Sequence, residues 1–236
     1  MRENRVLASD DDLGSASAYR FLASLPQPQG DADDKDRRKF EAEYTNALWQ
    51  CDVCHGPLVV TEGGKRRKAY LFAILDDHSR LITYAQFYLS ETTASLKDAL
   101  QHAIAGRGKP QKFYVDNGPC YRSQSIEHIC ARLGIALVHA RPYRPQGKGK
   151  IERFFRTIRG SLLSLLEDTS LSLDGLNQKL DEWISEYNER EHSSTGISPL
   201  ERYRYGLECV RPAPANLTDS FREQASRHVR ADDRGD

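Results

Sequence analysis

The chain has 236 residues, 34 basic and 34 acidic, so its formal net charge is zero, and its hydrophobic fraction of 39% is enough for one sizeable mixed domain with appendages. Zero net charge excludes bulk electrostatics as a nucleic-acid signal and leaves the distribution of charge along the chain to carry one. Five cysteines without a secretory apolar region argue against a disulfide scaffold, and the longest apolar stretch, 70–75, is far shorter than the roughly 20 residues of a membrane span; a soluble cytoplasmic protein with free thiols is expected.

Residues 1–44 are polar, broken by Pro26, Pro28 and Gly30, and read as a linker carrying one short helix at about 15–25 with no partner helix upstream. From Leu48 the pattern turns to strands: 48–53, then 68–75 and 81–89 joined by a turn at Asp76-Asp77-His78-Ser79, giving three consecutive antiparallel strands. Ala94, Leu96, Ala99, Leu100, Ala103 and Ile104 recur at helical spacing over 92–105, with Gly106 as the expected stop. A strand at 112–115, a helix at 123–133 ending at Gly134, and a strand at 135–139 follow. The loop 140–150, with Pro142, Pro145, Gly147 and Gly149, is expected to be exposed and mobile. Ile151, Phe155, Ile158, Leu162 and Leu166 predict a helix over 150–167, and Leu173, Leu176, Leu180, Trp183, Ile184 and Tyr187 another over 173–190. After Tyr205 the chain becomes polar, and a disordered tail is expected from 208. The expected domains are thus 1–44, a core at 45–207 and the tail 208–236.

Three acidic residues stand out. Asp52 lies inside a strand, where Asp is disfavoured and costly to bury unpaired; the alternatives are an edge strand in water or a metal ligand. Asp116-Asn117-Gly118 closes the strand 112–115 and by itself reads as a turn. Glu152 lies in the first turns of an amphipathic helix, with Arg156 and Arg159 on the same stripe; alone it reads as a solvated, salt-bridged face. Carboxylates are the hard donors Mg²⁺ prefers, which makes the set a candidate metal site. Between Arg141 and Arg159 lie Arg144, Lys148, Lys150, Arg153 and Arg156, opposed only by Glu152, a cluster suited to phosphates. Cys51-Asp52-Val53-Cys54-His55 formally matches haem-attachment, zinc and redox patterns, but haem attachment requires export and zinc two further ligands; Cys51 is expected in the core.

The segments LWQCDVCHG, YLFAILDDHSRLITYAQF, FYVDNGP, RPYRPQGKGKIERFFRTIR and WISEYNEREHSSTGISPLERY, in this order over about 40–205, resemble the integrase catalytic core of bacterial insertion-sequence transposases, relatives of retroviral integrases. The resemblance implies an α/β, RNase H-like fold: a five-stranded mixed sheet, its first three strands antiparallel, with helices on both faces. It implies a DDE transposase or integrase that nicks DNA and transfers strands in DNA transposition or integration. Asp52, Asp116 and Glu152 would be the catalytic and metal-binding triad for two Mg²⁺ or Mn²⁺ ions about 3.5–4 Å apart. Asn117, Arg141, Arg144, Lys148, Lys150, Arg153, Arg156 and Arg159 would contact DNA. The partners implied are transposon ends, target DNA and further copies of the chain, in a bacterial, nucleoid-associated setting. Residues 15–25 resemble only the last helix of the family's N-terminal helix-turn-helix, and the family's following β-barrel has no counterpart, so both ends are expected to be truncated. A non-autonomous remnant that binds DNA or an intact transposase, and an RNase H-type nuclease, are the alternatives.

Overall fold

The computed structural model describes residues 41–140, 148–166 and 171–222. The expected helix at 15–25, Arg141, Arg144 and the last residues of the tail lie outside these. The described elements are β1 (Leu48–Val60), β2 (Arg66–Asp76), β3 (Ile82–Tyr88), α1 (Thr93–Arg107), β4 (Lys112–Val115), α2 (Gln124–Leu133), β5 (Ala136–His139), α3 (Gly149–Ile158), α4 (Leu173–Glu189), α5 (Pro199–Tyr205) and α6 (Leu217–Phe221). They include one five-stranded sheet in the order β3-β2-β1-β4-β5. β1–β2 and β2–β3 pair antiparallel, whereas β1–β4 and β4–β5 pair parallel.

Strand alternation divides the core into two layers. Phe72 and Ile74 of β2 join Trp49, Cys51, Phe113 and Val115 beneath α1, α2 and α6. Ala69, Leu71, Ala73 and Leu75 point the other way, onto α3 and α4. Helices therefore cover both faces, as the RNase H-like architecture requires.

Local signals fix most element ends. Thr92 and Ser123 cap α1 and α2, accepting from the backbone N–H groups of Ser95 and Ser125. Gly134 ends α2 in the left-handed region at φ 63°. α1 does not stop at Gly106 as expected; it runs to Arg107, and Gly108 takes the positive φ of 74°. A Cβ on Gly108 would come within 2.5 Å of the Arg211 carbonyl oxygen, so close packing also selects glycine there. After α3 the chain makes a π-helical turn, Arg159–Leu163, in place of the plain α-helix expected. Leu162 and Leu163 are both buried in this turn.

β3 is an edge strand, and α4 closes it. Asn188 accepts from the Ile82 N–H at 2.9 Å and donates to the Ile82 carbonyl at 3.1 Å. Asn177 does the same for Phe87, at 2.8 and 3.1 Å. Two side-chain amides thus satisfy backbone groups that would otherwise offer a template for another strand.

The expected disorder from 208 does not begin there. Arg211 donates to the Gly134 carbonyl at 2.9 Å and to that of Pro110, and Leu217 and Phe221 are buried in the layer beneath α1 and α2. Two apolar side chains in a polar, proline-containing stretch are too few to show helical periodicity, but they suffice to dock a five-residue helix.

The turn between β2 and β3 is a polar knot. Buried Asp76 accepts from Asn46 N–H, Ser79 N–H and Ser79 Oγ. Arg80 sits at φ 69°, unusual for a residue with a Cβ. Its guanidinium reaches the Asp77 and His78 carbonyls and the Glu41 carboxylate, which also accepts from Arg202 of α5. Glycine would relieve about 1 kcal/mol of backbone cost, but the charge-assisted bonds it removes are worth about 1.5–3 kcal/mol. Arg80→Gly should therefore lower the unfolding free energy by about 1 kcal/mol, measured by urea denaturation at pH 7; a variant more stable than the parent would show that backbone strain dominates. Burial acts to raise the Glu41 carboxyl, yet Arg202 and Arg80 outweigh it and hold it below its usual value of 4.5. The stability from this clamp is present above that value and is lost as pH falls through the lower folded one.

Candidate active site

The parallel register of β1 and β4 sets Leu48 beside Lys112, Trp49 beside Phe113 and Gln50 beside Tyr114. The same offset brings Asp52 level with Asp116, just beyond the last residue of β4. Asp52 stays on the face opposite Trp49 and Cys51, and its Oδ1 accepts from the Val53 N–H at 2.9 Å. His139 of the neighbouring β5 approaches the Asp116 carbonyl at 3.2 Å through Nδ1. Adjacent strands therefore deliver both aspartates to one place.

There they share a cation. The Lys148 ammonium lies 3.2 Å from Asp52 Oδ1 and 2.9 Å from Asp116 Oδ2. The lysine side chain is 10% exposed and that of Asp52 19%, whereas that of Asp116 is half exposed, so the site opens to solvent on the Asp116 side. Burial alone would lower the Lys148 pKa, but the two carboxylates outweigh it and hold the ammonium above its usual range. Burial pushes the Asp52 carboxyl up, and Lys148 opposes that without cancelling it.

Glu152 stands one helical turn beyond Lys148, its N–H bonded to the Lys148 carbonyl at 3.1 Å. It is exposed. Among the described residues no three His, Cys, Asp or Glu side chains are gathered closely enough to hold a metal ion. The structure thus brings Asp52 and Asp116 together and leaves Glu152 on the adjoining helix turn. The donor chemistry nevertheless fits a hard divalent ion: two carboxylates already converge on one positive charge, with oxygen the only ligand type offered.

Lys150, expected at phosphate, pairs here with a carboxylate of the same chain. Its ammonium pairs with the Asp77 carboxylate and donates to the Asp77 carbonyl at 3.1 Å. Asp77 is completely buried and also accepts from Ala42 N–H and Gln50 Nε2, both at 2.7 Å. Gln50 Oε1 in turn lies 3.4 Å from the Ile151 N–H. A buried carboxylate needs such partners, and the sequence offers no spacing rule for a contact across 73 residues. Burial pulls the Lys150 ammonium below its usual range, and Asp77 opposes this only in part. This network fixes the start of α3, and with it the positions of Lys148 and Glu152.

Of the other residues expected at DNA, Arg153, Arg156 and Arg159 are exposed along α3 and the turn after it. Arg159 Nε donates to Cys54 Sγ at 3.2 Å. Asn117 is half-buried, donating to the Ala140 carbonyl and accepting from Arg122 at 3.2 Å. Cys51 is buried beneath α1 and Cys54 in the opposite layer, both as free thiols. No helix among the described residues is long and apolar enough to cross a membrane.

A five-stranded sheet in the order β3-β2-β1-β4-β5 with helices on both faces is the RNase H-like architecture. Two family models, both described as integrase core domain, match residues 42–145 and 133–199. The chain carries an integrase core domain of the retroviral integrase-like superfamily. It is 28% identical over 219 residues to the transposase for transposon Tn552 of Staphylococcus aureus, covering 78% of this chain and 45% of that protein. The Gag-Pro-Pol polyprotein of mouse mammary tumor virus (strain BR6) is 40% identical over 121 residues, 50% of this chain and 6% of the polyprotein. The chain therefore spans less than half the length of these curated relatives. Among solved structures, the simian T-cell lymphotropic virus intasome in complex with PP2A regulatory subunit B56 gamma superposes with a TM-score of 0.60 at 24% identity, over 70% of this chain and 57% of that one. The HTLV-2 integrase catalytic core domain in complex with magnesium gives 0.56 at 23%, over 69% and 99%. These likenesses show the fold.

Proposed function

We propose that the chain is the catalytic core of a DNA transposase, a metal-dependent polynucleotidyl transferase that nicks a transposon end and joins the freed 3′-hydroxyl to target DNA. The observation that carries this reading is the convergence of Asp52 and Asp116 on a single cation at adjacent strand ends. Asp52, Asp116 and Glu152 would hold two Mg²⁺ or Mn²⁺ ions, which at such a site supply Lewis-acid stabilisation of the attacking and leaving oxygens of an in-line displacement.

The protein's own groups do the positioning. Asp52 Oδ1 accepts from the Val53 N–H and faces the Lys148 ammonium, so the oxygen turned into the site is already held in place. Asp116, half exposed, faces the side from which a strand can approach. Arg153 and Arg156, exposed on α3, are placed to hold backbone phosphates and set the register of the strand without reading its sequence. No covalent bond to the protein is needed. DNA and further copies of the chain are the partners of this reading.

The test is strand joining by the purified chain with Mn²⁺ on a pre-branched DNA, run beside cleavage of an RNA–DNA hybrid. Joining of the DNA is expected; cleavage of the hybrid alone would move the assignment to an RNase H-type nuclease. DNA binding should weaken steeply with salt, because neutralising phosphates releases counterions. Arg153→Ala with Arg156→Ala should flatten the log–log slope by about 0.9 for each duplex phosphate no longer neutralised, measured by fluorescence anisotropy across a salt series. An unchanged slope would remove this helix face from the DNA path.

A further inference from the structure

We infer that Lys148 is the resident cation of the aspartate pair, a built-in occupant that a divalent metal must expel to load the site. The inference rests on the metal-dependent reading above and adds a residue role to it.

The Lys148 ammonium does not lie beside the carboxylates as a surface ion pair would. It bridges one oxygen of each, at 3.2 and 2.9 Å, and its side chain is 10% exposed. Without it, two carboxylates from neighbouring strand ends would face each other with their repulsion uncompensated, so the metal-free protein gains from having it there. A divalent ion contacting the same two oxygens would meet the ammonium at a few ångströms, where like charges in a partly buried site repel strongly. Both cannot occupy the seat. The apparent metal affinity is consequently reduced by the fraction of molecules in which Lys148 is seated.

Chain geometry makes this exchange local. Lys150, two residues on, is anchored to completely buried Asp77, and Gln50 meets the Ile151 N–H, so the backbone at the start of α3 stays fixed. Lys148 can then leave by side-chain rotation alone, toward the side on which Asp116 is exposed. Glu152 is one turn further along the same helix and is not gathered with the aspartates while the ammonium sits between them. Departure of Lys148 and recruitment of Glu152 are thus two sides of one step.

The experiment combines calorimetric titration of Mn²⁺ with lysine labelling of the full chain, at fixed pH 7.5. Lys148→Met is expected to bind Mn²⁺ about ten- to hundred-fold more tightly than the parent. It should also melt lower than the parent in EDTA. In the parent, acetylation of Lys148 read by mass spectrometry should be slow in EDTA and at least several-fold faster in saturating Mn²⁺, while Lys150 stays protected in both. If the parent binds Mn²⁺ and Lys148 remains protected, or if Lys148→Met binds no more tightly, the exchange is wrong and the metal site stands. If neither protein binds Mn²⁺, the metal-dependent reading itself fails and this inference with it. Should Lys148→Met not fold, judged by circular dichroism, the labelling of the parent still decides.

Discussion

Asp116→Asn is expected to lower Mn²⁺-dependent DNA nicking and joining by about 10³-fold, since on the proposed function Asp116 would hold metal and its loss would forfeit several kcal/mol of transition-state stabilisation. Stability should change little, because Asp116 is half exposed and its only ion pair among the described residues is with Lys148, which keeps Asp52 as a partner. The measurement is single-turnover nicking on a labelled duplex, with urea denaturation run alongside. Asp52→Asn should be as inactive. Its structural cost is larger, because a neutral amide holds the Lys148 ammonium less strongly in a site where Asp52 is only 19% exposed. Full activity in either variant would break the assignment of the aspartate pair as the reacting centre.

The second large effect is on stability. Asp77→Ala strips a completely buried carboxylate from Lys150, Gln50 and the Ala42 N–H. Breaking a buried ion pair from one side costs about 3–5 kcal/mol, and a loss of that size is expected in urea denaturation. Adding Lys150→Met should recover a measurable part of it, since the stranded ammonium is then gone, and a double-mutant cycle isolates the coupling. Simple additivity of the two changes would show that Lys150 and Asp77 do not act as a pair.

Much of the architecture is legible in the order of the amino acids. The continuous apolar run of β2, the alternation in β3, the apolar stripe of α1 and the glycine after α2 each carry a local signal that agrees with the fold. Asp52, Asp116 and Glu152 are legible only as a set: each alone has an ordinary explanation, and the ordered segments around them supply the context. Lys148 and Lys150 mark where local reading ends. In sequence they are near-identical members of one basic cluster, yet one bridges the aspartates and the other is tied to a buried carboxylate, because side chains two apart at the start of a helix point in different directions. Leu217 and Phe221 escape a sequence reading for a related reason: their partners in α1 and α2 are distant in sequence, and two isolated apolar residues leave no periodic trace.

The β1–β4 register has a bearing on how such a protein can vary. The alignment of Asp52 with Asp116 depends on residues 48–52 and 112–116 and on nothing between them. The hairpin after β1, with Gly63 and Gly64 in open space, can accept lengthening without disturbing it. A single deletion inside either short run would turn one carboxylate to the opposite layer, among Trp49, Cys51 and Val115. Divergent descendants should therefore differ freely in loop length while keeping these two short strand segments free of insertions and deletions.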